Sequence, residues 1–300
     1  MRKIKALLTR ILSRLGYYLV KEPRGRRLAD LVSSHSADTV IAALPEIIRK
    51  VQPAGLPPVE GHQLEMATYH LKTGMADADP EFFPLYERCR EYSMTSWDRL
   101  YNLYLSVRYV VRSNIRGDFV ECGVWRGGSM MMVALTLLAM GRTDRRLWLF
   151  DTFEGLPKPD AALDVDVWGN RGIDFWRLQR KTDQSSSWAY ASLEEVKENM
   201  RTTGYPVGQT SFVKGMVEET LSVTTPDTIA MLRLDTDWYV STKHELEQLY
   251  PRLSPGGVLI LDDYGHFRGA RKATDEYFAA RSAPLLTRVD YAGRIAIKTV

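Results

Sequence analysis

Two stretches of this 300-residue sequence carry residue types and spacings that could do chemistry. The first is FVECGVWRGGS, residues 119–129, where an apolar run ends in Glu121, the chain turns through Gly123, Gly127 and Gly128, and an apolar segment MMMVALTLLAM follows. The second is a pair: RLDTDWYVST at 233–242, carrying Asp235, and LILDDYGHF at 259–267, carrying Asp262 and Asp263. Between them RLWLFD ends another apolar run in Asp151.

A glycine turn after a strand serves nucleotides, dinucleotides and S-adenosylmethionine alike. The dinucleotide fingerprint needs G-x-G-x-x-G at the strand-to-helix turn so that a helix N-terminus faces a pyrophosphate. Here Glu121 stands where an anion would be repelled, which disfavours phosphate. An acid at one strand end and Asp151 at the next suit a ligand with a cationic ammonium and sulfonium at one end and ribose hydroxyls at the other, since a carboxylate accepts hydroxyl protons well. S-adenosylmethionine fits better than NAD. The glycines alone equally fit close packing of a helix on a strand.

Asp235, Asp262 and Asp263 end neighbouring apolar runs, so three like charges could meet at one sheet edge. Such a cluster needs neutralising. Oxygen donors without cysteine favour a hard, octahedral cation such as magnesium. The bland alternative is that Asp237 or Asp263 caps the helix that follows.

These residues must be positioned by elements, and from about residue 80 the pattern supplies them. Apolar stretches at 118–122, 146–151, 210–215, 228–235 and 256–263 alternate with amphipathic helical stretches, and LLTRVD with RIAIKT closes the chain as a hairpin. The expectation is an α/β fold: a mostly parallel sheet of Rossmann-like type with helices on both faces and a C-terminal antiparallel hairpin. Ligands of such sheets lie beyond the carboxyl ends of the strands. Upstream, the segment 80–113 reads as two helices broken near Ser93 to Ser96, with Thr95 or Ser96 as cap. Residues 81–300 are expected to form the catalytic domain, and residues 1–80 a helical extension.

The extension opens with MRKIKALLTRILSRLGYYLV, whose apolar residues recur at helical spacing among Arg2, Lys3, Lys5, Arg10 and Arg14. This stripe either packs on protein, the chain's own core or a second copy, or lies on an anionic membrane surface. A homo-oligomer is expected, and peripheral membrane contact through residues 1–20 is the open alternative. Forty Lys and Arg against 37 Asp and Glu give a net charge of +3, so no nucleic-acid partner is expected. Two cysteines, Cys89 and Cys122, exclude a disulfide scaffold and a cysteine zinc site and fit a reducing compartment. The expected location is the cytoplasm, with the inner face of the membrane open.

ECGVWRGGS, LFDTFEGLP, FVKGMVEETL, LRLDTDWYVSTKHELEQLYPRLSPGGVLILDDYG and the upstream SMTSWDRL resemble the motifs of the macrocin O-methyltransferase family, in order over roughly residues 85–280. The resemblance implies the class I methyltransferase fold and transfer of a methyl group from S-adenosylmethionine to a sugar hydroxyl. It also implies that Met94 and Thr95 line the cofactor pocket. Glu121, Gly123, Trp125, Arg126, Gly127, Gly128 and Ser129 would hold the methionine end, Asp151 the ribose, and Phe153, Gly215 and Met216 the adenine surroundings. Asp235, Asp262 and Asp263 would be the magnesium ligands. Position 216 departs from the family, which often has an aromatic there.

For the proton of the acceptor hydroxyl, Asp235 is the expected base as well as a ligand, and His266 is its competitor. His244 is expected to face solvent on its helix. The segment from Lys158 to Tyr190 lacks periodicity but carries Asp164, Asp166, Trp168, Asp174, Trp176 and Trp188, which suits a lid over a sugar, or a dimer contact. The acceptor is expected to be a cell-envelope glycan or a glycosylated natural product. Two other classes compete: a regulatory module that binds S-adenosylmethionine without turnover, and a nucleotide-dependent oxidoreductase, which Glu121 disfavours.

Overall fold

The structure is a computed structural model, and it describes residues 78–279 and 281–299. The basic helical stripe expected over residues 1–20 lies outside the described residues, as does the rest of the expected extension before residue 78.

Helices α1 (Phe82–Cys89) and α2 (Trp97–Arg112) come first, separated by a tight 3-10 turn at Arg90–Tyr92. Ser96 is the N-cap of α2, accepting the Arg99 amide at 3.2 Å, which satisfies one of the orphan donors of the first turn. Alternation then begins: β1 (Asp118–Cys122), α3 (Gly128–Ala139), β2 (Leu147–Asp151), α4 (Gly172–Gln179), α5 (Leu193–Arg201), β3 (Thr210–Lys214), α6 (Val217–Thr220), β4 (Ile229–Leu234), α7 (Tyr239–Leu249), β5 (Leu253–Leu261), α8 (Arg268–Ala279), β6 (Thr287–Arg288) and β7 (Arg294–Ile297).

The strands form one sheet in the order β3-β2-β1-β4-β5-β7-β6. β1 to β5 are mutually parallel, and β7 runs antiparallel to β5 and β6. The chain leaves β1 toward β2 on one side and returns to β4 on the other, so the switch point lies between β1 and β4. β4 is buried along its whole length because helices cover both faces, which is why IAMLRL reads as a continuous apolar run interrupted by one arginine. One core cluster joins Val120, Leu232, Leu259, Leu246 and Leu249, locking α7 against the sheet. Ser129 is the second residue of α3.

Two details differ from expectation. β5 begins at Leu253 rather than at Gly256, with a register irregularity against β4 between Ile229 and Met231. The stretch 158–190, aperiodic in sequence, contains the two-turn helix α4, too short to show a period. Among the described residues, no helix is long and apolar enough to cross a membrane.

Candidate active site

The ladder between the central strands continues past their ends. Cys122, Leu234 and Leu261 lie in register across β1, β4 and β5. One step further, the Asp235 amide donates to the Cys122 carbonyl at 2.8 Å and the Asp262 amide to the Leu234 carbonyl at 2.9 Å. Gly123 turns here with φ +82, and a Cβ on it would lie 1.9 Å from the Asp235 carbonyl oxygen. This glycine is therefore required by the approach of the β1 turn to the β4 turn. The continued pairing brings Asp235, Asp262 and Asp263 together, with one carboxylate oxygen of each within 4.8 Å of the others.

A buried arginine sits under this cluster, and the reading of motifs missed it. Arg233 pairs in register with Glu121 on β1 and Ile260 on β5, so period-2 alternation puts Glu121, Arg233, Asp235 and Asp262 on one face. Arg233 Nη1 donates to Glu121 Oε1 and, at 2.7 Å, to Asp235 Oδ2; Nη2 donates to Asp262 Oδ1 at 2.6 Å. A second arginine, Arg99 of α2, donates to Asp262 Oδ2 and pairs through Nε with Asp290 at 3.0 Å. The signal was present in sequence: an arginine inside a buried strand must find carboxylates.

Burial and pairing set the proton affinities. Burial pushes Asp262 up, but Arg233 and Arg99 outweigh it and hold its carboxyl below the ordinary aspartate range. Burial raises Glu121 to about 7 despite Arg233. Asp235 lies well above the ordinary range from burial, against the pull of Arg233, and Asp263 does so from burial and then its neighbours Asp237 and Asp262. Burial is the largest cause of each of these rises. Glu121 Oε2 and Asp263 Oδ2 are buried and accept no hydrogen bond. A divalent cation fits the three-oxygen donor set, and an ammonium fits the orphaned Glu121 oxygen.

Asp151 does something the sequence did not reveal. Its Oδ2 accepts the amides of Val124 at 2.6 Å and Trp125 at 3.2 Å, and its Oδ1 accepts the Phe153 amide at 2.6 Å. The carboxylate thus pins the glycine turn as well as standing at the β2 end. Arg126 fixes the other side of the turn, donating from Nε to Glu195 at 2.6 Å and from Nη1 to the Glu91 carbonyl at 3.0 Å. Gly127, at φ +90, is the N-cap of α3, and a Cβ on Gly128 would strike the Tyr92 backbone at 2.5 Å. Thr95, Ser129, Arg233 and Asp262 line one cavity, which joins the upstream motif to the turn. Met94 is half exposed beside it in sequence. Phe153 is buried, and Gly215 donates its amide to the Asp151 carbonyl at 3.0 Å, directly before Met216 at the start of α6. Trp125, Phe153 and Asp237 hold positive φ angles of 46, 53 and 67°, backbone strain gathered around the turns of this edge.

Asp237 does not cap the following helix. The Tyr239 amide at the start of α7 goes instead to Asp164 Oδ1 at 2.8 Å, a carboxylate from the aperiodic stretch. Asp237 lies near Asp235 and Asp263, and burial, then the Asp235 charge, pushes its carboxyl well above the ordinary range. His266 follows on the turn after Asp263, its amide donating to the Asp263 carbonyl at 2.9 Å. Its ring packs among Trp168, Phe267 and Tyr291, and burial lowers it to about 4. His244 is half-buried, contrary to the solvent-facing position expected, and its Nε2 is buried without a hydrogen bond.

The profile of the macrocin O-methyltransferase (TylF) family matches residues 85–295. A tetracenomycin-class rhamnosyl 4'-O-methyltransferase from Streptomyces olivaceus is 37% identical over 204 residues, 68% of this chain and 74% of that protein. Demethyldecarbamoylnovobiocin O-methyltransferase from Streptomyces niveus is 37% identical over 63% of this chain and 68% of its own length. Mycinamicin III 3''-O-methyltransferase from Micromonospora griseorubida is 33% identical over 62% of this chain and 70% of its own. Among solved structures, the O-methyltransferase NovP superposes with a TM-score of 0.61 at 35% identity, covering 70% of this chain and 83% of that one.

Proposed function

Since this chain belongs to the macrocin O-methyltransferase (TylF) family, we propose that the hydroxyl it methylates is on the sugar of a glycosylated natural product and that magnesium assists the transfer. That it is an S-adenosylmethionine-dependent O-methyltransferase follows from the family. The sugar acceptor is supported by the relatives, which act on a rhamnosyl tetracenomycin, a novobiocin precursor and a mycinamicin. The observation that carries the metal is the meeting of Asp235, Asp262 and Asp263 within 4.8 Å, with a buried unbonded oxygen on Asp263.

Methyl transfer to oxygen is an in-line displacement, so the protein must hold nucleophile and sulfonium in line and remove a proton. Glu121, with one oxygen on Arg233 and the other unbonded, is suited to the ammonium of the donor. Asp151 and Arg126 keep the glycine turn in the shape that receives it. Asp235, Asp262 and Asp263 would hold the magnesium ion, which supplies a positive charge that makes a neighbouring hydroxyl easier to deprotonate. Arg99 and Arg233 keep Asp262 ionised for that task.

For the proton we assign Asp237 ahead of Asp235, the base expected from sequence. Asp235 is tied to the Arg233 guanidinium at 2.7 Å, whereas no cation among the described residues pairs with Asp237. His266, lowered to about 4 by burial, packs its ring among Trp168, Phe267 and Tyr291. Its ring is better suited to lining the acceptor space.

Turnover of a panel of desmethyl glycosides with S-adenosylmethionine, read as methylated product by mass spectrometry, tests the reading. Chelation should abolish turnover, and added magnesium should restore it. Asp262→Ala should lose turnover while still binding S-adenosylhomocysteine in calorimetry, and Asp237→Asn should lower kcat about 100-fold. Undiminished turnover in the presence of chelator would remove the metal, and a fully active Asp237→Asn would remove the base.

A further inference from the structure

Of the tryptophans between Lys158 and Tyr190, two are structural. Trp176 is 2% exposed and donates its indole N–H to the Leu156 carbonyl at 3.0 Å. Trp188 packs edge-on against Trp238 and joins the small core formed by Trp238, Phe267 and Ala270. Trp168 is different. It is half-buried, and its indole N–H has no hydrogen-bond partner among the described residues.

Trp168 stands on a tight turn that the local sequence makes rigid. Asp166 Oδ1 accepts the amides of Trp168 at 2.9 Å and Asn170 at 2.8 Å, and its Oδ2 accepts from the Asn170 side chain at 2.9 Å. The turn is closed by a bridge between Val165 and Arg171 and fastened to the loop beyond Asp263 by a bridge between Asp166 and Phe267. The Arg268 amide adds a bond to the Val165 carbonyl at 2.9 Å. The Trp168 ring thereby meets two others from separate parts of the chain: His266 at 5.3 Å and Tyr291 at 6.3 Å between centroids. His266 and Tyr291 are themselves 5.8 Å apart, with Tyr291 Oη 3.4 Å from His266 Nδ1. This three-ring wall adjoins Asp263 through the His266 amide.

We infer that Trp168, backed by His266 and Tyr291, is the acceptor-recognition wall, and that its indole stacks on the apolar face of a pyranose ring while its N–H binds one of the ring's hydroxyls. The inference rests on the sugar-acceptor reading above and names the residue that recognises the sugar. Three features carry it. An amphipathic ring with an unused donor is suited to a ligand that has an apolar face and a polar rim. The turn is fixed by hydrogen bonds before any ligand arrives, so little ordering is left to oppose binding. One ring of the wall, His266, lies on the loop that carries Asp263, so a sugar resting on the wall sits beside the acidic edge.

The full-length protein with S-adenosylmethionine and magnesium is assayed on p-nitrophenyl α-L-rhamnoside, fucoside, mannoside and xyloside, with catechol as a planar aromatic control. Wild type should methylate at least one glycoside. For that glycoside Trp168→Ala should raise KM about tenfold or more, a change of one decade in affinity, with kcat within about twofold and S-adenosylhomocysteine affinity unchanged. Trp168→Phe, which keeps the ring and loses the N–H, should fall between the two and guards against misfolding of the alanine variant. Trp168→Phe should also remove a component of the fluorescence change seen when the glycoside is added to wild type. Glycoside turnover with wild-type KM in both variants would overturn the inference and leave the sugar reading standing. Catechol turnover without any glycoside turnover, or no turnover of either, would overturn both.

Discussion

The Arg233 guanidinium donates to Asp262 Oδ1 at 2.6 Å, and both side chains are about 4% exposed. With Glu121 and Asp235 on its other nitrogen, this one cation holds three carboxylates from three strands. Removing one partner of a buried ion pair leaves uncompensated charge and costs about 3–5 kcal/mol. Arg233→Met should therefore destabilise the fold by roughly that amount in urea titrations. Arg233→Lys keeps the charge without the planar fork. It should retain most of the stability yet bind magnesium more weakly in calorimetry, because Asp235 and Asp262 lose their fixed orientation. Wild-type stability in Arg233→Met would show that the network is dispensable.

Asp164 joins the segment before α4 to the start of α7. It is fully buried, accepts the Tyr239 amide at 2.8 Å and the Asp160 amide at 2.7 Å, and its carboxyl rises to about 6 through burial in spite of those bonds. Asp164→Ala leaves two amides without this acceptor, and about 1–3 kcal/mol of stability should go with it. Limited proteolysis should then cut between residues 158 and 190 faster than in wild type. An unchanged cleavage pattern would mean that the Trp238 indole, bonded to the Pro157 carbonyl at 3.0 Å, suffices as the anchor.

Glu245 gives a pH signature away from the acidic edge. It is fully buried on α7, accepts the Thr236 hydroxyl at 2.9 Å, and has an unbonded second oxygen; burial lifts it from 4.5 to about 8. An acid whose folded value lies above its unfolded value binds more protons when folded, so its stabilising contribution is complete below about 4.5 and fades as pH rises toward 8. The melting temperature of wild type should fall between about pH 5 and 8, and Glu245→Gln should flatten that slope. A slope equally steep in Glu245→Gln would assign it to other groups.

Gly123→Ala should be severe although it adds one methyl group. The new Cβ would have to share space with the Asp235 carbonyl oxygen, at a φ of +82 that alanine rarely adopts. The variant should express poorly or lose S-adenosylhomocysteine binding and magnesium binding together, since the strain falls on both turns. Gly169→Ala, at a comparable φ of +89 but with open space around it, serves as the control and should remain folded.

The strands, their order of appearance and the acids at the ends of the central ones were legible because buried parallel strands leave unbroken apolar runs, and the runs of β1, β2, β4 and β5 stop at or beside a carboxylate. LWLFD and LILDD are examples: Asp151, Asp262 and Asp263 fall at the carboxyl edge, where such sheets bind ligands. The helix α4 was not legible, because eight residues hold barely two turns. Nor was the role of Asp164, whose partner amide lies 75 residues away.

The sequence by itself determined the fold class, the family and the set of acids, since all three are written in local pattern: apolar periodicity, turn glycines and short motifs. Only the tertiary structure decided how those acids differ from one another. Asp262 is held ionised between Arg99 and Arg233 while Asp237 and Asp263, with no such pairing, hold their protons more tightly. The reason is physical: a carboxyl group's proton affinity and reach are set by burial and by the charges within a few ångströms, and in this fold those neighbours come from strands and helices up to 163 residues distant in the chain.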